Sequence, residues 1–325
     1  MQWEGMASPL FFRWRVGKTE ARALTSVVAT LVVATLLAIS RTPVRGQQPG
    51  SAGYDFMPGT FLPSGQPVVP IFEGWFPNPD GTYGLCFGYW SGNTEETLSI
   101  PLGSDNVIEP RQYDGAQPTL FRPRPRTGWR RHYCTFVIDV PADWGNQHLI
   151  WTVRNHGETY AAVGRLSVPS YMLDEPVAAG RAASIPDDEP WDSRTGYGSW
   201  QGAEAPLLQF VEPGGPEGIG RRGITAGPVS VRVGQSLTLR VRVGTPDGRD
   251  ARWWVGWWEH RGPGTVTIGQ REMEADPTTN YLATTTATFN EPGDYVIALQ
   301  AIESIQSFER FCCWTNGYVE VTVTR

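Results

Sequence analysis

The side chains that could do chemistry are few: four histidines, four cysteines and a run of arginines around one tryptophan. A zinc protease helix would read His-Glu-x-x-His, a hydrolase elbow Gly-x-Ser-x-Gly, a thiol oxidoreductase Cys-x-x-Cys and a phosphate cradle a P-loop. None of these occurs. His132, His148, His156 and His260 lack the spacing of metal ligands. The stretch Gly218-Ile219-Gly220-Arg221-Arg222-Gly223 matches a dinucleotide fingerprint in letters only, because it precedes a strand instead of leaving one to open a helix. No catalytic residue, metal site or cofactor is assigned, and an enzyme is the less favoured reading.

Two constellations suit binding. In Arg122-Pro123-Arg124-Pro125-Arg126-Thr127-Gly128-Trp129-Arg130-Arg131 the guanidinium forks of Arg122, Arg124, Arg126, Arg130 and Arg131 fit carboxylate, sulfate or phosphate, and the Trp129 face can stack on a sugar or a cation. The competing reading is a solvated hairpin loop whose arginines pair with surplus acids. In Trp253-Trp254-Val255-Gly256-Trp257-Trp258, strand alternation sends Trp253, Val255 and Trp257 to one face and Trp254, Gly256 and Trp258 to the other. With Trp257 in the core, Trp254 and Trp258 stand about 7 Å apart along the strand, a spacing for stacking sugars or anchoring a partner. They serve that purpose only if neither the linker nor the first domain covers them.

The cysteines fall into two pairs. Cys86 and Cys134 lie in predicted strands of one domain and suit a bridge, the alternative being two small buried residues. Cys312 and Cys313 are adjacent, so they form either a strained vicinal ring or a reduced pair.

These residues must be positioned by short strands. Arg13, Arg15, Lys18 and Arg22 precede an uncharged stretch from Ala23 to Ile39, and Val44 and Gly46 are small enough to precede cleavage at Gln47. Residues 1–46 therefore read as a helical signal peptide or signal anchor, the membrane being reached only through this segment if it stays uncleaved. Residues 47–66 read as a flexible tether. From 67 to 171 short apolar runs alternate with turn signals, among them Asn78-Pro79-Asp80-Gly81 between two β-rich runs, a hairpin signature. Residues 172–227 are rich in Asp, Glu, Pro, Gly and Arg and read as linker and long loops, with only Pro206 to Val211 suggesting a strand. From 228 to 325, Leu237, Leu239, Val241 and Val243 alternate with polar residues, and Tyr295, Ile297 and Leu299 repeat the pattern. The fold class is all-β: two immunoglobulin-like β-sandwiches joined by a linker.

The C-terminal domain resembles the PKD and related immunoglobulin-like modules of bacterial surface and secreted proteins. The residues that carry the likeness are Trp257-Trp258-Glu259-His260-Arg261-Gly262-Pro263-Gly264-Thr265-Val266-Thr267 and Ala287-Thr288-Phe289-Asn290-Glu291-Pro292-Gly293-Asp294-Tyr295-Val296. The resemblance implies a fold and no activity. The N-terminal domain resembles an uncharacterised domain of exported bacterial proteins through Glu73-Gly74-Trp75, Asn78-Pro79-Asp80-Gly81-Thr82-Tyr83, Phe87-Gly88-Tyr89, Ile100-Pro101-Leu102-Gly103, Gln117-Pro118-Thr119 and Val140-Pro141-Ala142-Asp143.

Beyond residue 46 the chain carries 21 arginines against 31 acidic residues, a net of −10, which does not invite nucleic acid. The expectation is an exported, non-catalytic binding or structural protein, periplasmic or extracellular, that presents sandwich loops and aromatic patches to a glycan, an envelope component or a protein partner. The alternative is a secreted enzyme or redox accessory using Cys312 and Cys313.

Overall fold

The turn Asn78-Pro79-Asp80-Gly81 closes the first hairpin as its residue types demand. Gly81 takes a left-handed φ of 86°, Asn78 N–H donates to the Thr82 carbonyl at 2.8 Å, and the Asp80 carboxylate accepts the Thr82 N–H at 3.0 Å. The computed structural model describes residues 61–123, 131–173, 205–244, 252–302 and 314–325. All of them belong to Asp55–Arg325, one compact unit. The leader at 1–46 lies outside the described residues, as does most of the tether.

The first sandwich is built from β1 (Val68–Pro77), β2 (Tyr83–Ser91), β3 (Leu98–Ser99), β4 (Asn106–Glu109), β5 (Leu120–Phe121), β6 (His132–Val140), β7 (Leu149–Asn155) and β8 (Glu158–Gly164). Its sheets run β1-β2-β6 and β4-β7-β8, with β3-β5 as a short third pair. Between them lie aromatic rings: Phe87 stacks on Phe136 at 5.5 Å, and Phe136 meets Trp151 edge-on at 5.0 Å. A buried indole needs an acceptor, and Trp151 finds one in Asn106 Oδ1 at 3.0 Å.

The second sandwich comprises β9 (Leu207–Glu212), β10 (Glu217–Gly218), β11 (Ile224–Arg232), β12 (Ser236–Gly244), β13 (Trp253–Arg261), β14 (Val266–Ile268), β15 (Glu272–Ala275), β16 (Leu282–Phe289), β17 (Gly293–Ile302) and β18 (Trp314–Thr324). Its sheets run β10-β9-β12-β16-β14 and β11-β18-β17-β13-β15. In immunoglobulin lettering β9, β12, β16 and β14 stand as A, B, E and D, and β18, β17 and β13 as G, F and C. Tyr295, early in β17, donates its hydroxyl to the Glu291 carbonyl at 3.0 Å, the tyrosine corner of that fold. Trp257 on β13 fills the core. Residues 207–227, read from the sequence as linker and long loops with one strand suggested at Pro206 to Val211, supply β9 at that place and also β10 and the start of β11, so the sandwich takes in more chain than the pattern indicates.

The inner strands β17 and β13 of the sheet β11-β18-β17-β13-β15 are covered on both faces for most of their length, which leaves Trp254 half-buried and the other three tryptophans of the run buried. One face packs on β9, β12 and β16 through Trp253, Val255, Trp257, Leu299 and Val319. The other meets the first sandwich. Trp258 is 3% exposed, and the Arg122 guanidinium lies 4.1 Å from its ring centroid. Trp254 packs against the apolar cluster of Phe76, Tyr133, Ile302 and Trp314. A Cβ on Gly256 would collide with the Trp254 ring, so only glycine lets that ring lie flat there. Of the two readings for this face the covered one holds: Trp258 is internal and Trp254 partly buried.

Because both faces are buried, Trp257→Ala and Trp258→Ala should each cost about 3–5 kcal/mol. Thermal melts measure this, and a Trp258→Ala shift close to zero would contradict the seam.

Candidate functional site

The seam between the sandwiches is organised by an irregularity in β6. In the β2-β6 ladder Phe87 pairs with Phe136 and Tyr89 with His132, so Tyr133, Cys134 and Thr135 all stand opposite Gly88. This is a bulge with two surplus residues. Gly88 is required there, since a Cβ would strike the His132 carbonyl and crowd the Glu73 carboxylate. Cys134 adopts a φ of 40°, uncommon for a residue with a side chain. It is bonded to Cys86 across a Cα–Cα distance of 5.2 Å, the bridge expected from the sequence.

In a regular strand successive carbonyls point to opposite sides and serve the ladder. The bulge instead releases three consecutive ones to the second sandwich. Gln300 Nε2 donates to the Tyr133 carbonyl at 2.9 Å, Asn316 Nδ2 to that of Cys134 at 3.0 Å, and the Tyr318 hydroxyl to that of Thr135 at 3.0 Å. Asn316 also donates to the Arg221 carbonyl at 2.6 Å. Buried carbonyls left without donors would each cost about 1–3 kcal/mol, so these three side chains specify the docking as well as stabilise it.

Register places these donors in rows across β13, β17 and β18. Trp254, Ile302 and Trp314 form an apolar row; Gly256, Gln300 and Asn316 the next; Trp258, Ala298 and Tyr318 a third; and Arg261, Val296 and Glu320 a fourth. The apolar row packs against Cys86 and Cys134. The row beside the bridge is thus apolar, and the row furthest from it carries the charges.

The arginine run contributes inward contacts. Arg122 covers Trp258, donates its backbone N–H to the Tyr89 hydroxyl at 3.0 Å and lies 2.9 Å from His132 Nδ1. His132 Nε2 faces the Pro123 carbonyl at 2.9 Å, so Nε2 carries the proton and Nδ1 accepts from Arg122. Burial, together with that neighbouring cation, holds the His132 pKa well below its usual value. Arg131 pairs with Glu73 at 2.8 Å. Burial raises the Glu73 carboxyl to about 7 in spite of this pair. Arg122 and Arg131 thus form no outward anion clamp; Arg124, Arg126, Trp129 and Arg130 lie outside the described residues, as do Cys312 and Cys313.

Residues missed in the sequence carry the hydrogen bonds of the seam: Gln300, Asn316 and Tyr318. A signal existed in Asn316 and Tyr318, which share one face of β18 with Trp314, opposite the Val319, Val321 and Val323 face that enters the core. His260 is buried as well, its Nε2 2.9 Å from the Ala116 carbonyl, and burial lowers its pKa to about 4. Among the described residues no three His, Cys, Asp or Glu side chains come together as metal ligands.

No family model matches the chain, so the narrower PKD assignment gains no support from that comparison. No curated protein matches it either. Among solved structures it is similar to the D00-D0 domain of Intimin, with 12% identity over 80% of this chain and 100% of that one at a TM-score of 0.25. The S-layer protein SbsC domains 4 and 5 align at 18% identity over 31% of this chain and 49% of that one, with a TM-score of 0.23. A C. elegans MSP family member, WR4, aligns at 11% identity over 31% and 92%, with a TM-score of 0.24. Values this low carry no functional argument.

Glu259 offers a test of the electrostatics. It is 2% exposed, accepts the Val266 N–H at 3.0 Å, and burial raises its carboxyl from 4.5 to about 7. The folded protein then binds a proton that the unfolded chain releases between pH 4.5 and 7, so this group's contribution to stability falls as pH rises through that window. Glu259→Gln should gain on the wild type between pH 5 and pH 8, by at most about 3 kcal/mol. Melts at both pH values read the difference, and an unchanged gap would contradict a buried, proton-retaining carboxyl.

Proposed function

We propose that the chain is an exported, non-catalytic binding or structural protein of the bacterial envelope. In this reading two sandwiches, the second of PKD type, act as one rigid body that meets a glycan, an envelope component or a protein partner. The observation that carries it is the Cys86–Cys134 bridge at the root of the seam. A buried bridge at that point suits an oxidising compartment, where such bonds form and persist. Three side-chain donors locked onto the β6 carbonyls support rigidity and fixed presentation better than an opening and closing cleft. The basic, apolar and small-residue order of residues 1–46 supports export.

Fractionation of the native host tests this. The protein is expected in the periplasm or medium, oxidised at Cys86 and Cys134, with a mature N-terminus near Gln47. Recovery from the cytoplasm with both thiols free would overturn the reading.

A further inference from the structure

The fourth row of the seam opens into a cleft of about 320 Å³ between the sandwiches. Arg261 and Glu320 of the second sandwich stand on one side. On the other, Asp139 of the first pairs with Arg222 of the second at 2.7 Å. Rings line the interior: His260 meets Tyr318 edge-on at 5.8 Å and Phe136 at 6.3 Å.

His260 is the unexplained element. It is 2% exposed and lines the cleft. Its Nε2–H is used by the Ala116 carbonyl, which leaves Nδ1 as a bare acceptor, buried and without a hydrogen-bond partner. A water or a ligand hydroxyl that reaches this nitrogen from the cleft would satisfy it.

The charges narrow the class of ligand. An anion would meet Asp139 and Glu320, and a cation Arg222 and Arg261, so neither sign is favoured. A neutral polyol suits both. Each hydroxyl donates and accepts, so neighbouring hydroxyls can bridge carboxylate to guanidinium while a third donates to imidazole. The volume lies at the small end of the range for ligand sites. We propose that this cleft binds a neutral, hydroxyl-rich glycan unit, with His260, Glu320 and Arg261 as its polar contacts. The proposal rests on the binding-protein reading above and gives it a place and a ligand class.

Calorimetric titration of the full chain, recovered from the host envelope, with cellotetraose, maltotetraose and chitotetraose tests it. At least one should bind. Glu320→Gln should weaken that binding about tenfold, and Thr225→Trp, an exposed position lining the cleft, should abolish it without lowering the melting temperature. Binding of none of the three, or equal binding by both variants, overturns the cleft. Retention on isolated envelope material separates the two claims. If wild type and variants are retained equally, the binding function stands and the cleft falls; if none is retained, both fall.

Discussion

The structure depends on the surplus residues that β6 carries opposite Gly88. A strand cannot absorb two extra residues and keep its ladder, so the backbone bows out and its carbonyls lose their partners. Cys134 sits at the middle of that bow with a left-handed φ, a conformation that must be held by its surroundings. The bridge to Cys86, closing a loop of sequence separation 48, holds it there. In the chain-entropy description such a closure is worth about 4 kcal/mol.

From that bow the rest of the seam follows. Three freed carbonyls call for donors, and Gln300, Asn316 and Tyr318 supply them from neighbouring strands of the second sandwich. Meeting them brings the outer face of β13, β17 and β18 against the first sandwich and buries tryptophans that an isolated immunoglobulin-like sheet would have to expose. The apolar row closes against the bridge, whereas the charged row at the far end has no such cover and leaves a cleft. Polar groups fix the register here, and the apolar rings supply most of the area removed from water.

Much of this was legible in local chemistry. Asn78 to Gly81 announces a tight hairpin because the required φ values have residue types attached to them, and alternation in Leu237 to Val243 marks a strand covered on one side. The pairing of Cys86 with Cys134 followed from two predicted strands in one domain. Burial of Trp258 was not legible, because alternation assigns a side chain to a face and says nothing of what covers that face. Arg122 and Arg131 read as an anion clamp or as solvated charge, and their inward contacts were not legible because the partners, Trp258 and Glu73, lie far along the chain. The same holds for Asn316, which is 182 residues from the carbonyl it binds. Within residues 207–227 only β9 was legible, as the run Pro206 to Val211; β10 and the start of β11 were missed because glycine and proline there hide short edge segments within loop-like composition.

The central claim is that the bridged bulge welds two sandwiches into one cooperative body. Differential scanning calorimetry of the wild type beside a Cys86→Ala/Cys134→Ala variant tests it most directly. The account predicts a single transition for the wild type and a variant less stable by about 4 kcal/mol. Two separate transitions in the wild type, or a variant that melts where the wild type does, would contradict it.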